Sequence, residues 1–564
     1  MITSLRVALA AALTAGLCAC ATAPAGPRYD VVLRGGTIYD GSGGTPYVGD
    51  VAIAGDRIVA VGKAPGVGAS EVDARGLAVA PGFVNMLSWA TESLIVDGKS
   101  QSDIRQGVTL EVFGEGTSTG PINAEMKALE QSRQVDVKFP IEWNTLGEYL
   151  EMLERRGVSP NVASFVGATT VRVNQLGAAD VDPTPEQLAR MRALVRQAMN
   201  EGAMGLGSSL IYAPAAFAET PELIALATEA GKCGGMYISH LRDEGPRLLE
   251  AMDELIEISE KSGARAEIFH LKQSGRDNWP KLDAAIAKIE AARARGVTVT
   301  ANMYTYAASA TGLDAAMPLW VQEGGIEAWV ARLKDPVQRA RLIADMRALR
   351  GSENMKLVVE EPDKVLLLGF KTEALKPLTG LTLAEVAKRR GKSPEETAAD
   401  LVEEDGTRIR VAYFGMSEEN VARQTALPWM SFGSDASSQA PEGVFLKSST
   451  HPRAYGTFAR VLGKYARDEK TLTLQEAVRR LSALPAANLR IKERGALKAG
   501  YFADVVAFDP KTITDHATFA KPQQYATGMR HVFVNGGQVL KDGEHTGAKP
   551  GRVVRGPGWG KCPA

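Results

Sequence analysis

Two histidines each stand at the end of an apolar, strand-like run. His240 ends the run YISH at 237–240, and His270 ends the run EIFH at 267–270, thirty residues further along the chain. This spacing fits one strand–helix–strand unit, and two neighbouring parallel strands would bring both imidazoles to one edge of a sheet. Zinc and related divalent ions favour imidazole and carboxylate ligands. The pair therefore indicates a metal site; a hydrogen-bonded histidine pair near a core is the alternative.

Asp435 follows another buried-looking run, WMSFGS at 429–434. A carboxylate at the end of such a strand could act as the general base on a metal-bound water. The alternative is an aspartate that caps a helix within a turn.

Glu115 lies between Gly114 and Gly116 in the segment FGEGTS. Glycines permit an unusual backbone path and a close approach of other groups. The segment has no lysine of the P-loop type, so we exclude a phosphate-binding loop. Taken alone, Glu115 could equally be a solvated loop residue.

These residues lie in a long central segment, 81–490, in which strands and helices alternate. Its candidate strands are 108–113, 162–166, 236–240, 266–270, 297–304 and 430–433. Thr184, Pro185 and Gln187 form a capping box with proline at the first helical position, which predicts a helix start. Alternation of this kind predicts a parallel sheet, and about eight units would form a (β/α)₈ TIM barrel with its active site at the carboxyl ends of the strands.

The two ends of the chain have a different pattern of apolar and polar residues. Residues 29–80 and 491–555 contain short runs of alternating apolar and polar residues separated by glycine turns, which is typical of small β-sheets. We expect both ends to form one discontinuous domain, followed by a tail at 556–564.

The N-terminus resembles an export signal. Arg6 precedes an apolar run at 7–17 that is too short to span a bilayer, which predicts a signal peptide over 1–20 and a linker over 21–28. The sequence LCAC at 17–20 resembles a bacterial lipoprotein box with Cys20 as the lipidated residue; a simple signal cleaved near Ala21 is the alternative. We expect an exported, periplasmic, membrane-anchored lipoprotein.

Composition excludes some classes of protein. The 564 residues include 65 basic and 66 acidic side chains, so the chain lacks the basic footprint of a nucleic-acid binder. Two of its four cysteines lie in the signal. We expect the other two, Cys233 and Cys562, to remain unpaired, and the chain is no disulfide scaffold.

Six short motifs together resemble the N-acyl-D-amino-acid deacylase branch of the amidohydrolase superfamily, and the resemblance spans 29–555. They are APGF at 80–83, GVT at 107–109, HLRDE at 240–244, HLK at 270–272, FGSD at 432–435 and HPRAYGTF at 451–458. The resemblance implies a TIM barrel with a small discontinuous β-sandwich domain formed from both chain ends. It also implies an enzyme that hydrolyses linear amides.

The resemblance implies metal ligands at His240 and His270 and the catalytic aspartate at Asp435. Glu115 occupies the position of the branch's metal-binding cysteine, and a carboxylate is a legitimate replacement ligand for zinc. We therefore expect one divalent metal ion, zinc in the first instance, held by Glu115, His240 and His270.

The resemblance also places Lys272, Tyr304 and Arg453 where the branch grips the carboxylate of its substrate. Lysine and arginine neutralise an anion, and arginine can do so through two parallel hydrogen bonds. An ordinary structural salt bridge or hydrogen bond is the alternative for each of the three.

The chain departs from the superfamily after residues 81–83, where a His-x-His pair is usual. Leu87 and Trp89 stand in those positions, and neither can ligate a metal. We expect the loss of a second metal site and apolar bulk in the floor of the pocket.

The resulting hypothesis is metal-dependent deacylation of N-acyl-D-amino acids, with Asp435 as general base and then general acid. The D configuration comes from the resemblance alone. A dipeptidase or another C–N hydrolase on the same scaffold is one alternative, and a degenerate, non-catalytic binding lipoprotein is the other. The expected partner is a small N-acyl amino acid or a dipeptide-like molecule, and no nucleic acid.

Lipidation at Cys20 can be tested directly. We expect the protein to fractionate with membranes and its mature N-terminus to be a lipid-modified Cys20, as measured by mass spectrometry of the N-terminal peptide. A mature N-terminus beyond Cys20 that carries no lipid would identify a simply cleaved signal peptide.

Overall fold

A computed structural model describes residues 28–349 and 353–562 of the chain. The predicted signal peptide, Cys20 and most of the predicted linker lie outside these residues. Within the two described ranges, no helix is both long enough and apolar enough for a bilayer span.

The secondary structure consists of 21 strands and 19 α-helices in the described residues. The strands are β1 Arg28–Ile38, β2 Tyr47–Ala54, β3 Arg57–Gly62, β4 Val67–Asp73, β5 Ala78–Pro81, β6 Phe83–Asn85, β7 Val108–Phe113, β8 Asn161–Ser164, β9 Val166–Gly167, β10 Gly205–Ser209, β11 Met236–His240, β12 Arg265–Ile268, β13 Val299–Met303, β14 Ser309–Gly312, β15 Val365–Gly369, β16 Arg410–Tyr413, β17 Met430–Phe432, β18 Val505–Phe508, β19 Met529–Val534, β20 Gly537–Lys541 and β21 Glu544–His545. The α-helices are α1 Thr91–Val96, α2 Gln101–Ile104, α3 Ala124–Arg133, α4 Leu146–Arg156, α5 Ala168–Leu176, α6 Pro185–Glu201, α7 Thr220–Lys232, α8 Leu248–Ser262, α9 Leu282–Ala294, α10 Leu319–Gln322, α11 Ile326–Lys334, α12 Pro336–Arg347, α13 Met355–Glu360, α14 Leu383–Arg390, α15 Pro394–Asp405, α16 Glu418–Thr425, α17 Arg453–Arg460, α18 Leu474–Leu481 and α19 Ala483–Asn488.

The central strands form a parallel barrel. One ladder joins β6, β7 and β8, and a second runs in the order β9, β10, β11, β12, β13 and β17. Only one residue separates β8 from β9, so the two ladders are continuous. The barrel closes between β17 and β6, where Met86 N donates to Phe432 O at 3.2 Å. The TIM-barrel prediction is confirmed.

The strands of the barrel are buried except for the half-buried first residue of β12, as a parallel sheet covered by helices requires. All five residues of β11 are buried, and so are all five of β10 and β13. Helix α6 begins with the predicted capping box, in which Thr184 and Gln187 exchange hydrogen bonds, and it ends at Gly202 in the left-handed region.

The two chain ends meet in one sheet of nine strands, β1–β5 and β18–β21. Strand β5 is the junction, because it pairs in parallel with β1 and antiparallel with β18. The structure thus has the small discontinuous domain that the β-rich ends predict.

An insertion interrupts the barrel between β13 and β17. The sequence did not predict it, because strands and helices were expected to alternate regularly over 81–490. It contains the antiparallel sheet β14–β16–β15 and helices α10–α15. These elements pack around a hydrophobic core of their own, which includes Leu313, Leu342, Leu367 and Val411. The segment therefore forms a separate layer with its own core instead of another strand–helix unit.

The expectation that Cys233 and Cys562 remain unpaired is wrong, because the structure joins them in a disulfide with a Cα–Cα distance of 5.1 Å. Cys233 lies at the end of α7. The C-terminal tail packs against the end of α6, where Gly556 N donates to Gly202 O at 2.8 Å and Gly560 N donates to Asn200 O at 3.0 Å. These contacts bring together two cysteines that are 329 residues apart in sequence.

Loss of the disulfide should destabilise the protein. We expect Cys233→Ser to lower the free energy of unfolding by about 2–4 kcal/mol, because the crosslink restricts a long loop of the unfolded chain. Denaturant unfolding measures the loss. Cys562→Ser is the matched control, and the double variant should lose no more than either single variant. Free thiols at both positions in non-reduced peptides of the native protein would contradict the assignment.

Candidate active site

Two close contacts fix the position of Glu115 in the turn after β7. The flanking residues Gly114 and Gly116 have φ values of 104° and 69°. A Cβ atom at Gly114 would lie 2.4 Å from the carbonyl oxygen of Phe165, and one at Gly116 would lie 2.4 Å from the side chain of Ser209. The turn therefore requires both glycines. Glu115 is only 5 % exposed, so it is no solvated loop residue.

The two histidines reach the same point from neighbouring strands. His240 is the last residue of β11, and His270 follows β12. His270 has a φ of 33°, a strained conformation for a residue with a side chain. Its backbone N–H donates to Asn302 Oδ1 at 2.8 Å, which holds this conformation.

The side chains of Glu115, His240 and His270 converge on one point. Glu115 Oε1 lies 3.1 Å from His240 Nδ1 and 2.7 Å from His270 Nε2, and these two nitrogens are 3.1 Å apart. The three form a buried group whose ligand atoms all lie within 4.8 Å of one another. Two imidazole nitrogens and one carboxylate oxygen are a donor set that suits a divalent metal.

Glu244 lies on the far side of both imidazoles. Its carboxylate oxygens are 3.2 Å from His240 Nε2 and 3.2 Å from His270 Nδ1. Lys272 Nζ lies 2.8 Å from His270 Nδ1, and His240 Nε2 has no hydrogen-bond partner in the described residues. A carboxylate behind a histidine is the usual arrangement for fixing the tautomer of a metal ligand. Glu244 thus supports the fit of the three ligands to a metal.

The carboxylates of Glu115 and Glu244 raise the pKa values of both histidines. Burial lowers the pKa of His240, but Glu244 and Glu115 outweigh it and raise the pKa to about 9. Burial and Lys272 lower the pKa of His270, yet the same carboxylates give a net increase. Burial raises the pKa of Glu115, but the two histidines reverse this and hold it below its usual value. The site therefore stabilises positive charge at its centre.

Asp435 lies beside this group, just beyond β17. It too has a strained backbone, with a φ of 49°, and its N–H donates to Leu87 O at 2.8 Å. Its Oδ2 is 2.7 Å from Arg453 Nη1, and its Oδ1 accepts a hydrogen bond of 3.1 Å from Trp89 Nε1. Burial raises the pKa of Asp435, and Arg453 opposes this in part.

Arg453 and Lys272 both lie close to the ring of Tyr304. The guanidinium of Arg453 is 4.5 Å from the ring centroid, and Lys272 Nζ is 5.9 Å from it. Arg453 Nη2 donates to the carbonyl of Ala310 in the insertion, and its buried Nε has no hydrogen-bond partner in the described part of the chain. Lys272 is more fully engaged, because its Nζ lies 2.7 Å from both oxygens of Glu244. Burial raises the pKa of Tyr304 to about 12.

The structure thus brings all seven residues of the sequence hypothesis into one buried region. Three further residues have polar contacts in this region that the sequence did not predict. Glu244 stands in the motif HLRDE, where it could have been suspected. His451 accepts a 3.0 Å hydrogen bond from the backbone of Arg453 and so helps to place it. Trp89 was expected to add only apolar bulk, but its indole N–H contacts two carboxylates of the site.

Comparison with known proteins gives a consistent result. The sequence profile of Amidohydro_3, the amidohydrolase family, matches residues 70–540. A D-aminoacylase from Alcaligenes xylosoxydans xylosoxydans is 32% identical over 532 residues, which are 93% of this chain and 97% of that protein. The structure of an N-acyl-D-glutamate deacylase from Bordetella bronchiseptica, complexed with zinc and a phosphonate inhibitor, superposes with a TM-score of 0.77 at 28% identity and covers 94% of this chain and 100% of its own.

A further solved structure bears on the metal site. It is a D-aminoacylase described as having a binuclear metal center with one-metal activation and second-metal attenuation. It is 30% identical to this chain and superposes with a TM-score of 0.77. The superposition covers 93% of this chain and 100% of that D-aminoacylase chain.

The role of Glu115 can be tested by metal content. We expect Glu115→Gln to weaken zinc binding by more than about 100-fold, because replacing a ligand should cost more than replacing an outer-shell partner. Glu115→Cys should restore much of the affinity by supplying a thiolate. Glu229→Gln, which removes a buried carboxylate on α7 paired with Arg192 and Arg196, is the control and should leave metal content unchanged. Unchanged zinc in Glu115→Gln would exclude Glu115 from the site.

Proposed function

The chain belongs to the amidohydrolase family, and we propose that it is a metal-dependent deacylase that hydrolyses N-acyl-D-amino acids. The observation that carries the proposal is the convergence of Glu115, His240 and His270 beside a buried Asp435 that contacts Arg453. A donor set for one metal, an acid–base group and a cation for a substrate carboxylate lie together. These are the parts that hydrolysis of an N-acyl amino acid requires.

We propose one zinc ion as the cofactor, held by Glu115, His240 and His270. When bound, the metal would supply a water of lowered pKa and would polarise the scissile carbonyl. Glu244 places a negative charge behind both imidazoles, at 3.2 Å from one nitrogen of each.

Asp435 is the proposed general base and acid. It accepts the proton of the attacking water as the new C–O bond forms, and it delivers that proton to the leaving amine as the C–N bond breaks. Arg453 and Trp89 each contact one of its two oxygens, so the carboxylate has a defined orientation. Its raised pKa makes it a better proton acceptor than an exposed aspartate while Arg453 keeps it from rising further.

Arg453 is the strongest candidate for binding the substrate carboxylate. Its Nε is buried, and it finds no hydrogen-bond partner among residues 28–349 and 353–562. An unpaired buried donor is costly, and a substrate carboxylate would satisfy it. Lys272 contributes positive charge to the same region, but its ammonium is already bound to Glu244. The ring of Tyr304 lies close to both cations.

We also propose that the protein is exported. The disulfide between Cys233 and Cys562 supports this, since structural disulfides persist mainly in oxidising compartments such as the periplasm. The signal-like N-terminus agrees with it.

The function is tested by assaying free amine release from N-acetyl derivatives of D- and L-amino acids by the purified zinc-loaded protein. We expect hydrolysis of D substrates only. Asp435→Asn should retain zinc and lose about 10²–10⁴-fold in kcat, as expected for loss of general acid–base catalysis.

Arg453→Ala tests recognition of the carboxylate. It should raise KM for N-acyl-D-amino acids, and it should have much less effect on an N-acyl amine that lacks the carboxylate. Preferred cleavage of dipeptides, or of amides without a carboxylate, would favour another C–N hydrolase. Zinc-free protein with no turnover on any substrate would favour the degenerate binding lipoprotein.

A further inference from the structure

The indole of Trp89 bridges two carboxylates of the site. Its Nε1 lies 3.2 Å from Glu115 Oε2 and 3.1 Å from Asp435 Oδ1. Both carboxylates are nearly inaccessible to solvent, whereas Trp89 itself is 36 % exposed. The indole thus lines the accessible side of the site and directs its single N–H inwards.

The backbone explains why this residue reaches both partners. Trp89 follows β6, and β6 lies between β7, which precedes Glu115, and β17, which precedes Asp435. Trp89 N donates to Ala436 O at 3.0 Å, and Ser437 Oγ donates to Trp89 O at 3.0 Å. These bonds tie the backbone of Trp89 to the segment that carries Asp435.

Each carboxylate then has its two oxygens assigned to different partners. Glu115 presents Oε1 to the two histidines and Oε2 to the indole. Asp435 presents Oδ2 to Arg453 and Oδ1 to the indole. Two carboxylates this close repel one another unless a donor or a cation lies between them. Here the N–H of Trp89 lies between them.

We propose that Trp89 is a positioning residue that takes the place of a second metal ion. Its indole N–H links the ligand carboxylate of Glu115 to the carboxylate of Asp435, so that the site holds one metal and keeps Asp435 oriented without a second. The side chain of Leu87 packs into an apolar cluster. It has no atom that could bind a second metal. The consequence is an enzyme that excess zinc does not attenuate. The proposal rests on the proposed metal-dependent function.

The first test measures zinc per chain in the full-length protein, by elemental analysis after equilibration over a range of zinc concentrations. Wild type should bind one equivalent tightly and keep its activity in excess zinc. The double variant Leu87→His/Trp89→His should bind a second equivalent and lose activity as that site fills. Two tight equivalents in wild type would overturn the proposal, and this measurement does not depend on finding a substrate.

The second test uses Trp89→Phe, which keeps an aromatic ring but removes the N–H. We expect zinc to remain at one equivalent or more, kcat to fall by about 10- to 100-fold as expected for loss of a hydrogen bond to a charged group, and KM to change much less. Trp559→Phe, an exposed tryptophan in the C-terminal tail, is the matched control and should change neither constant.

A spectroscopic readout separates positioning from folding. In protein labelled with 5-fluorotryptophan, the ¹⁹F resonance absent from Trp89→Phe identifies Trp89, and it should shift when zinc binds wild type while the Trp559 resonance does not. An unshifted Trp89 resonance, or an unchanged kcat in a folded Trp89→Phe, would overturn the positioning role. Should no N-acyl amino acid be hydrolysed, the zinc stoichiometry and the ¹⁹F shift still decide it.

Discussion

A buried excess of negative charge is the constraint on which the rest of the site depends. Three carboxylates, Glu115, Glu244 and Asp435, lie beside two permanent cations, Lys272 and Arg453, and all five residues are at most 9 % exposed. Uncompensated charge in such a place costs several kcal/mol. The missing positive charge can come from protonated histidine, which is why the pKa values of His240 and His270 rise, or from a divalent metal.

The same excess of negative charge explains how the polar groups are paired. Glu244 lies within ion-pair distance of the two imidazoles and of Lys272, and Arg453 lies within ion-pair distance of Asp435. Trp89 supplies a neutral donor between two anions. Each anion therefore has partners on more than one side, which fixes its orientation as a catalytic site requires.

The barrel holds this arrangement at the expense of local strain. His270 and Asp435 both have positive φ values, which cost on the order of 1–3 kcal/mol each for residues with side chains. The hydrogen bonds to Asn302 Oδ1 and to the carbonyl of Leu87 oppose this strain, and both acceptors lie at or just beyond neighbouring strands. The insertion adds a further contact, since Ala310 accepts a hydrogen bond from Arg453. The rigid strands thus maintain conformations that an isolated loop would not adopt.

Local signals in the sequence determined the parts of this protein that depend on neighbouring residues. Strand-like runs before His240 and His270, paired glycines around Glu115 and the capping box at Thr184 each reflect backbone preferences within a few residues, and the structure contains each of them. The roles given to Lys272, Tyr304 and Arg453 came from the family resemblance, and they remain predictions.

Only the tertiary structure decided the contacts between distant segments. The disulfide joins residues 329 apart, the indole of Trp89 reaches Asp435 across 346 residues, and the inserted layer separates from the barrel by forming its own core. Residue type alone could not reveal these contacts. From the sequence, Trp89 is expected to be apolar bulk and Cys233 a small buried residue. Only the folded chain brings the indole N–H within hydrogen-bonding distance of Asp435 and the sulfur of Cys233 within bonding distance of Cys562.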